Sequence, residues 1–148
     1  MSLQVGSTIR LKAKTDDCFV CGRDNAGGLH VPFVSDGEHG SRATYTARAE
    51  HGGWPGLLHG GVAFALMDEA LAYALYFQGL FGVTARVETR FRQPIPIGAN
   101  LIVRAWTLGR RSRLLDARAE IRLEGEDSLL AAEATATMYL QDAPQSEA

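Results

Sequence analysis

The hydrophobic pattern of this chain changes its period near residue 82. Residues 62–77 are mostly apolar, and Asp68, Glu69 and a few tyrosines interrupt the run. The apolar members occupy most of the helical circumference, which predicts a helix buried nearly all round: Val62, Ala65, Leu66, Met67, Ala70, Leu71, Ala72, Ala74 and Leu75. About eighteen residues would make it roughly 27 Å long. Glycine favours the position after a helix, so we expect the helix to end near Gly79 or Gly82.

Beyond the helix, apolar and polar residues alternate, which indicates half-buried strands. The first such row is Val83, Ala85, Val87, Thr89 and Phe91, with Arg86, Glu88, Arg90 and Arg92 on the opposite face. Three more rows follow: Leu101, Val103 and Ala105; Leu115, Ala117, Ala119, Ile121 and Leu123; and Leu130, Ala132, Ala134, Ala136, Met138 and Leu140. Residues 109–112 and 125–128 are predicted turns. These four strands are expected to form a meander. Before the helix, residues 29–34 and 42–48 predict two shorter strands, separated by a turn at residues 35–37.

Together these elements predict an α+β fold in which a curved antiparallel sheet of about five to six strands wraps one long helix. The chain has 148 residues, 46% of them hydrophobic, which suits one domain spanning 1–148. Residues 1–17 would be an N-terminal arm and residues 143–148 a frayed tail. One sheet leaves an open edge and part of the helix uncovered, so we expect a homodimer, with a tetramer as an alternative.

Charge and targeting signals narrow the classes of partner. The formal net charge is −2 and the pI is about 6.1, which disfavours nucleic acid. We expect no signal peptide, because the N-terminus lacks an apolar core. We also expect no membrane span, because charges interrupt the one long apolar run. The chain is therefore expected to be cytoplasmic. The two cysteines, Cys18 and Cys21, are too few for a secreted disulfide framework.

The sequence His59-Gly60-Gly61 begins the predicted helix, and Asp68 follows nine residues after the histidine. The first amides of a helix carry partial positive charge, and glycine lets a ligand carbonyl come close to them. This motif resembles that of the PaaI-like acyl-CoA thioesterases, which have the hotdog fold. Four further pieces of the chain are similar to the same family: Cys18-Phe19-Val20-Cys21-Gly22; Gly53-Trp54-Pro55-Gly56; Asp68-Glu69-Ala70; and Thr84-Ala85 with Arg90-Phe91-Arg92-Gln93-Pro94 and Pro96-Ile97-Gly98. The resemblance covers about residues 18–140.

The resemblance implies roles for individual residues. The Gly60 amide would polarise the thioester carbonyl, and Asp68 would act as general base or as nucleophile. His59 would position the loop or that amide, and Thr84 would supply a hydroxyl from the other subunit. Further expected substrate contacts are Gly61, Glu69, Met67 and Arg90, with a pocket floor of Phe64, Leu66 and Met67. The substrate would be a small aromatic or medium-chain acyl-CoA, with coenzyme A as part of the substrate and no separate cofactor.

One position departs from the family pattern. Some relatives have Asn or Gln seven residues before the first motif glycine, where this chain has Gly53. His51 is a candidate substitute, and the alternative function is a hotdog protein that binds acyl-CoA without cleaving it. A hydratase fits less well, because hydratases pair a histidine with a carboxylate in another arrangement. Asp68 could also be a structural carboxylate paired with Arg86 or Arg90.

Two other groups of residues leave alternatives open. Cys18 and Cys21 have the spacing of a zinc knuckle, but a structural zinc needs four ligands and only His30 and His39 are near in sequence. We therefore predict no metal site and leave a redox pair or a packed turn open. Arg110, Arg111 and Arg113 are either a coenzyme A phosphate site or a solvated hairpin tip.

Overall fold

One helix lies across a six-stranded antiparallel sheet in this computed structural model, which describes residues 16–125 and 127–142. The described residues include only Asp16 and Asp17 of the arm expected over residues 1–17. The tail expected over residues 143–148 lies outside them. The helix is α1 (Gly60–Tyr76), and the strands are β1 (Val34–Asp36), β2 (Gly40–Thr46), β3 (Phe81–Phe91), β4 (Asn100–Arg111), β5 (Leu114–Leu123) and β6 (Leu130–Gln141).

The strand order is β1-β2-β4-β5-β6-β3, so the expected four-strand meander is wrong for β3. Strand β3 pairs with β6 and not with β4. Its connection to β4 contains Pro94 and Pro96, which have no amide hydrogen for a sheet ladder. That connection instead crosses to the loop before the helix, where the Leu58 amide donates to the Ile95 carbonyl at 2.8 Å.

The prediction of a strand at residues 29–34 is wrong, because in this region only Val34–Asp36 pairs in the sheet. Leu29 and Val31 are nevertheless buried. Their amides donate to the carbonyls of Phe19 and Val20, at 2.7 and 2.8 Å. The segment therefore anchors the cysteine-containing loop to the core. The turn predicted at residues 35–37 begins at Gly37, which has a φ of 68°.

The helix packs one face on the sheet, and the alternating rows predicted for β4, β5 and β6 supply the opposing core. Gly79 adopts a φ of 74° after the helix, and the Leu80 amide donates back to the Leu75 carbonyl at 3.0 Å, which confirms the predicted end. Buried helix residues are Ala63, Leu66, Met67, Ala70, Leu71, Ala74 and Leu75. The buried alanines of β5 and β6 complete this core: Ala117, Ala119, Ala132, Ala134 and Ala136.

The prediction that the helix is buried on nearly all sides is wrong for a single chain. Phe64 is 38% exposed, and Ala65, Asp68 and Ala72 on the same stripe are only half-buried. This stripe, residues 64, 65, 68 and 72, is called the open face below. Among residues 16–125 and 127–142, no helix has the length and apolar character needed to span a membrane.

Candidate active site

The start of helix α1 leaves one amide available for a ligand. His59 is the N-cap, and its Nδ1 accepts a hydrogen bond from the Gly61 amide at 2.8 Å. The amides of Val62 and Ala63 donate to the His59 carbonyl, at 3.0 and 3.2 Å. Within the described residues, the Gly60 amide has no acceptor. The His59 side chain thus accepts from one of the helix amides that have no intrahelical acceptor, and the Gly60 amide is left as the donor that a substrate carbonyl can use.

A groove of about 300 Å³ runs beside the Gly60 amide. A Cβ built on Gly60 would lie 3.7 Å from the ring of Phe91, which forms one wall. The lining residues are Leu58, Gly60, Ala63, Phe91, Arg92, Gln93, Pro94 and Ile95. Most of them are apolar; Arg92 and Gln93 are the polar members. The groove can therefore take an apolar group attached to a carbonyl that accepts from Gly60.

Asp68 lies on the open face of the helix and is held by a hydroxyl of the sheet. The Thr84 Oγ1 donates to Asp68 Oδ1 at 2.9 Å. This bond forms within one chain, and the expected contribution of Thr84 to the site of another subunit stays a prediction. The second carboxylate oxygen has no partner in the described residues, and neither Arg86 nor Arg90 pairs with Asp68.

A β-bulge in β3 aims Thr84 at the helix. The pairing shifts between Thr84, which faces Met138 of β6, and Arg86, which faces Thr137. Directly opposed residues share a face, so Thr84 lies on the face of buried Met138. After the bulge, Val87 pairs with buried Ala136 and is on that same face. The predicted row from Val83 through Ala85 to Val87 is therefore wrong at its first two positions, because the extra residue changes the alternation.

Gly60 and Asp68 are too far apart to serve one thioester within a single chain. Eight residues of helix separate them by about 12 Å along the axis and by about 80° around it. A nucleophile must come within about 3.5 Å of the carbonyl carbon. Within one subunit these two groups therefore do not reach the same carbonyl carbon, and their joint action on a thioester stays a prediction for an assembly of subunits.

The remaining expected substrate contacts lie elsewhere. Met67 is 1% exposed and packs in the core, as does Leu66. Arg90 forms a surface ion pair with Glu88 at 3.5 Å. Glu69 Oε1 accepts hydrogen bonds from the thiols of the N-terminal loop rather than lining the groove. Of the expected substrate contacts, only Gly61 is at the helix start, and its amide is already used by the N-cap.

A cluster of Tyr45, Arg48 and His51 supports the loop before the helix, and sequence reasoning missed it. The His51 Nδ1 is 2.7 Å from the Tyr45 hydroxyl, and its Nε2 is 3.4 Å from an Arg48 nitrogen. Burial, and secondly the charge of Arg48, lowers the pKa of His51. The His51 carbonyl accepts from the His59 amide at 3.0 Å. Both ring nitrogens are occupied, so His51 supports the N-cap and does not replace the missing amide side chain.

The position of Gly53 also has a steric explanation. A Cβ on Gly53 would lie 3.1 Å from the Cα of His59, which is closer than an ordinary contact. In this chain the loop packs directly on the N-cap residue. Asn or Gln at this position would therefore press on His59.

The arginine hairpin makes intrachain contacts. The Arg110 Nε donates to the Ser112 carbonyl at 2.9 Å, and Arg113 donates to the Leu140 carbonyl and to Asp142, at 3.3 and 3.2 Å. These bonds give two of the three guanidinium groups a structural role. A coenzyme A phosphate contact at the hairpin stays a prediction.

Comparison with known proteins identifies the fold and the family. The family model of the thioesterase superfamily matches residues 55–130. Among solved structures, one thioesterase superfamily protein superposes with a TM-score of 0.74 and 27% identity, covering 80% of this chain and 60% of that protein. A variant of the phenylacetic acid degradation protein PaaI from Thermus thermophilus gives a TM-score of 0.67 at 27% identity, over 75% of this chain and 93% of that protein.

A third similar structure is a hypothetical thioesterase from Streptococcus pneumoniae solved with coenzyme A. Its TM-score is 0.69 at 17% identity, covering 78% of this chain and 90% of that one. No curated protein sequence matches the chain. The family match spans just over half of the chain and includes the helix start, Asp68 and Thr84. The architecture is the hotdog fold expected from the motif, and the chain belongs to the thioesterase superfamily.

Proposed function

We propose that this protein hydrolyses acyl-CoA thioesters, with Asp68 as the reacting carboxylate and the Gly60 amide as the donor to the thioester carbonyl. Membership of the thioesterase superfamily supports the reaction class. The similar fold that was solved with coenzyme A supports the leaving group. The observation that supports the proposal is local: among the described residues, the Gly60 amide beside the apolar groove has no acceptor, and Asp68 is held by Thr84 through one of its two carboxylate oxygens.

A complete site needs a second copy of the chain. The separation of about 12 Å between Gly60 and Asp68 argues against one subunit acting alone. Strand β3 is at the edge of the sheet, so the outer side of its eleven residues offers unpaired backbone groups to another strand. Antiparallel pairing of two β3 strands would bring the two open faces together. Each Asp68 would then face the start of the other helix, in a homodimer or a tetramer built from such dimers.

The chemistry follows from these groups. The thioester carbonyl accepts a hydrogen bond from the Gly60 amide, and the negative charge that develops on its oxygen strengthens this bond. One such donor contributes roughly 3 kcal/mol to the transition state. Asp68 either removes a proton from water, whose oxygen then adds to the carbonyl carbon, or adds directly to give an anhydride that water cleaves. In both routes the carbon–sulfur bond breaks and coenzyme A leaves as the thiol.

The groove supports the substrate class, and no separate cofactor is part of the proposal. Its volume of about 300 Å³ and its walls of Phe91, Pro94 and Ile95 suit a small aromatic or medium-chain acyl group. His59 is a positioning residue in this scheme, because its ring already accepts from Gly61. Cytoplasmic location is part of the proposal, since acyl-CoA is an intracellular substrate class.

The test is thiol release from a panel of aromatic and aliphatic acyl-CoAs. Asp68→Asn and Asp68→Ala are each expected to lower kcat by about 100-fold or more. Asp116→Asn is the matched control, because Asp116 also accepts from a threonine hydroxyl, that of Thr137, at 3.3 Å on the sheet. Equal rates for the wild type and both Asp68 variants would remove Asp68 from the mechanism.

A binding protein that does not cleave acyl-CoA is the second candidate. Gly53 favours it, because it has no side chain to orient water and the ring of nearby His51 is occupied. Calorimetry would then show acyl-CoA binding while thiol release stays at the rate without protein. Turnover of any acyl-CoA that depends on Asp68 would exclude this candidate.

A further inference from the structure

Two cysteines and one carboxylate converge beside the helix, away from the groove at Gly60. The Sγ atoms of Cys18 and Cys21 lie 3.4 and 3.2 Å from the same oxygen of Glu69, Oε1. One potential ligand atom from each residue lies within 4.8 Å of the other two. All three side chains are half-buried. The two histidines nearest in sequence do not join this cluster, because His30 contacts the Asn25 carbonyl and His39 contacts Gln78.

The distances fit the edges of a zinc tetrahedron. Zinc–sulfur bonds of about 2.3 Å and zinc–oxygen bonds of about 2.0–2.2 Å put neighbouring sulfur and oxygen ligands about 3.5 Å apart. The two observed sulfur–oxygen distances are 3.4 and 3.2 Å, so these two edges of the tetrahedron require shifts of only a few tenths of an ångström. Two soft thiolates with one carboxylate also suit zinc better than magnesium or calcium.

The loop is folded so that both sulfurs face the helix. The Gly22 amide donates to the Cys18 carbonyl at 2.9 Å and closes a tight turn between the two cysteines. A Cβ on Gly22 would lie 2.4 Å from the Cys18 nitrogen, so only glycine fits there. On the far side, the Tyr73 hydroxyl donates to the Cys21 sulfur at 3.2 Å and its ring stacks on Phe33 at 5.0 Å. The turn and the tyrosine together hold the cluster in place.

We propose that Cys18, Cys21 and Glu69 bind one zinc ion, with a water molecule as the fourth ligand. Binding releases the two thiol protons to solvent, because zinc takes thiolates. The ion replaces these protons and neutralises most of the charge of the three anionic ligands. Tyr73 is then an outer partner that stabilises the Cys21 thiolate.

Such an ion would cross-link the N-terminal loop to the helical turn that carries Asp68. Glu69 is the next residue along the helix, and the loop is otherwise attached through Val20 and Leu29, which are buried in the core. The zinc site does not depend on thioester hydrolysis. Its role is to fix the loop and this turn of the helix.

The first test uses the full chain, reduced and stripped of metal with a chelator, then titrated with Zn²⁺ against a chromophoric competitor. We expect one zinc per chain and a higher melting temperature with zinc than without it. Co²⁺ in place of Zn²⁺ is expected to give a thiolate-to-cobalt charge-transfer band. Absence of stoichiometric zinc in the wild-type chain at micromolar free zinc would overturn the proposal, whatever the variants do.

Variants then assign the ligands. Cys18→Ser and Cys21→Ser are each expected to weaken zinc binding by about 100-fold or more, and Glu69→Gln by about tenfold or more, while Tyr73→Phe weakens it less. Glu133→Gln is the matched control, because Glu133 is also half-buried and pairs with Arg92 on the sheet. Unchanged affinity in the Cys18 and Cys21 variants would refute the assignment. Rapid loss of both thiols to a disulfide in air, with no zinc bound, would identify a redox pair instead.

Discussion

Replacement of Gly60 by proline would remove one hydrogen-bond donor at the helix start and is compatible with the helix. Gly60 is the first residue of helix α1, a position where proline is well tolerated. The preceding residue, His59, has φ −63° and ψ 133°, which is the extended conformation that proline requires before it. The ring would enter the groove beside Phe91, where a Cβ has 3.7 Å of clearance. Gly60→Pro therefore tests the amide rather than the fold.

The expected loss is that of one preorganised donor to the transition state. Removal of such a donor lowers kcat roughly 100- to 1,000-fold, or about 3–4 kcal/mol. Gly60→Ala is the control, because it adds a side-chain carbon at the same place and keeps the amide hydrogen. Thiol release is expected to fall far less in Gly60→Ala, whose Cβ only narrows the approach to the amide, than in Gly60→Pro, which has no amide hydrogen, with equal melting temperatures within a few degrees.

Mixing two inactive variants then tests whether the site is shared between subunits. In a mixed dimer of Gly60→Pro and Asp68→Asn chains, one site combines both defects and the other combines the intact Gly60 with the intact Asp68. Random reassociation of equal amounts makes about half of the dimers mixed, so about one quarter of the wild-type activity should return. Unfolding in denaturant and joint refolding of the two chains provides the exchange.

Two results would refute this reasoning. A site within one chain gives no recovery in the mixture, even when size-exclusion chromatography shows that the chains have exchanged. Full activity of Gly60→Pro would show that the thioester carbonyl does not use this amide. Recovery near one quarter, together with a low rate for each variant alone, agrees only with a shared site.

Three further expectations follow from the contacts. Thr84→Val keeps the shape of the side chain but removes the donor to Asp68, so kcat/KM should fall about tenfold in steady-state kinetics and return in Thr84→Ser. An unchanged rate in Thr84→Val would contradict the role of the hydroxyl. His59→Ala removes the acceptor for the Gly61 amide and should cost about 1 kcal/mol of unfolding free energy in urea titrations, most of it regained in His59→Asn. Since the pKa of His51 is lowered in the folded chain, its stabilising contribution is complete above about pH 6.5 and is lost as the pH falls through that lower pKa. The melting temperature should therefore decline less steeply on acidification in His51→Gln, and parallel curves would refute the assignment.

The helix and the strands beyond it were predictable from sequence, because their signals are local. The apolar run begins at a capping histidine and ends before Gly79, and the helix observed is Gly60–Tyr76. The alternating rows of β4, β5 and β6 are buried as the period of two predicts. Each of these features depends on residues within a few positions of one another, so periodicity and caps were sufficient.

The site was predictable in its components but not in its arrangement. His59-Gly60-Gly61 and Asp68 were recognised from their spacing. The structure adds that the Gly60 amide has no acceptor in the described part of the chain and that Asp68 is held by Thr84. The orientation of Thr84 depends on one extra residue in β3, which reverses the alternation between Thr84 and Val87. A bulge of this kind has no signature in a run of alternating residues.

Contacts between distant parts of the chain were decided only by the tertiary structure. Strand β3 joins β6 and so becomes an edge, although β4 follows it directly in sequence. Glu69 was expected at the substrate and instead accepts from Cys18 and Cys21, which precede it by 51 and 48 residues. Local sequence sets which face of an element is apolar and where the element ends. Which other element covers that face depends on how the whole sheet closes over the helix, and no short stretch of residues contains that information.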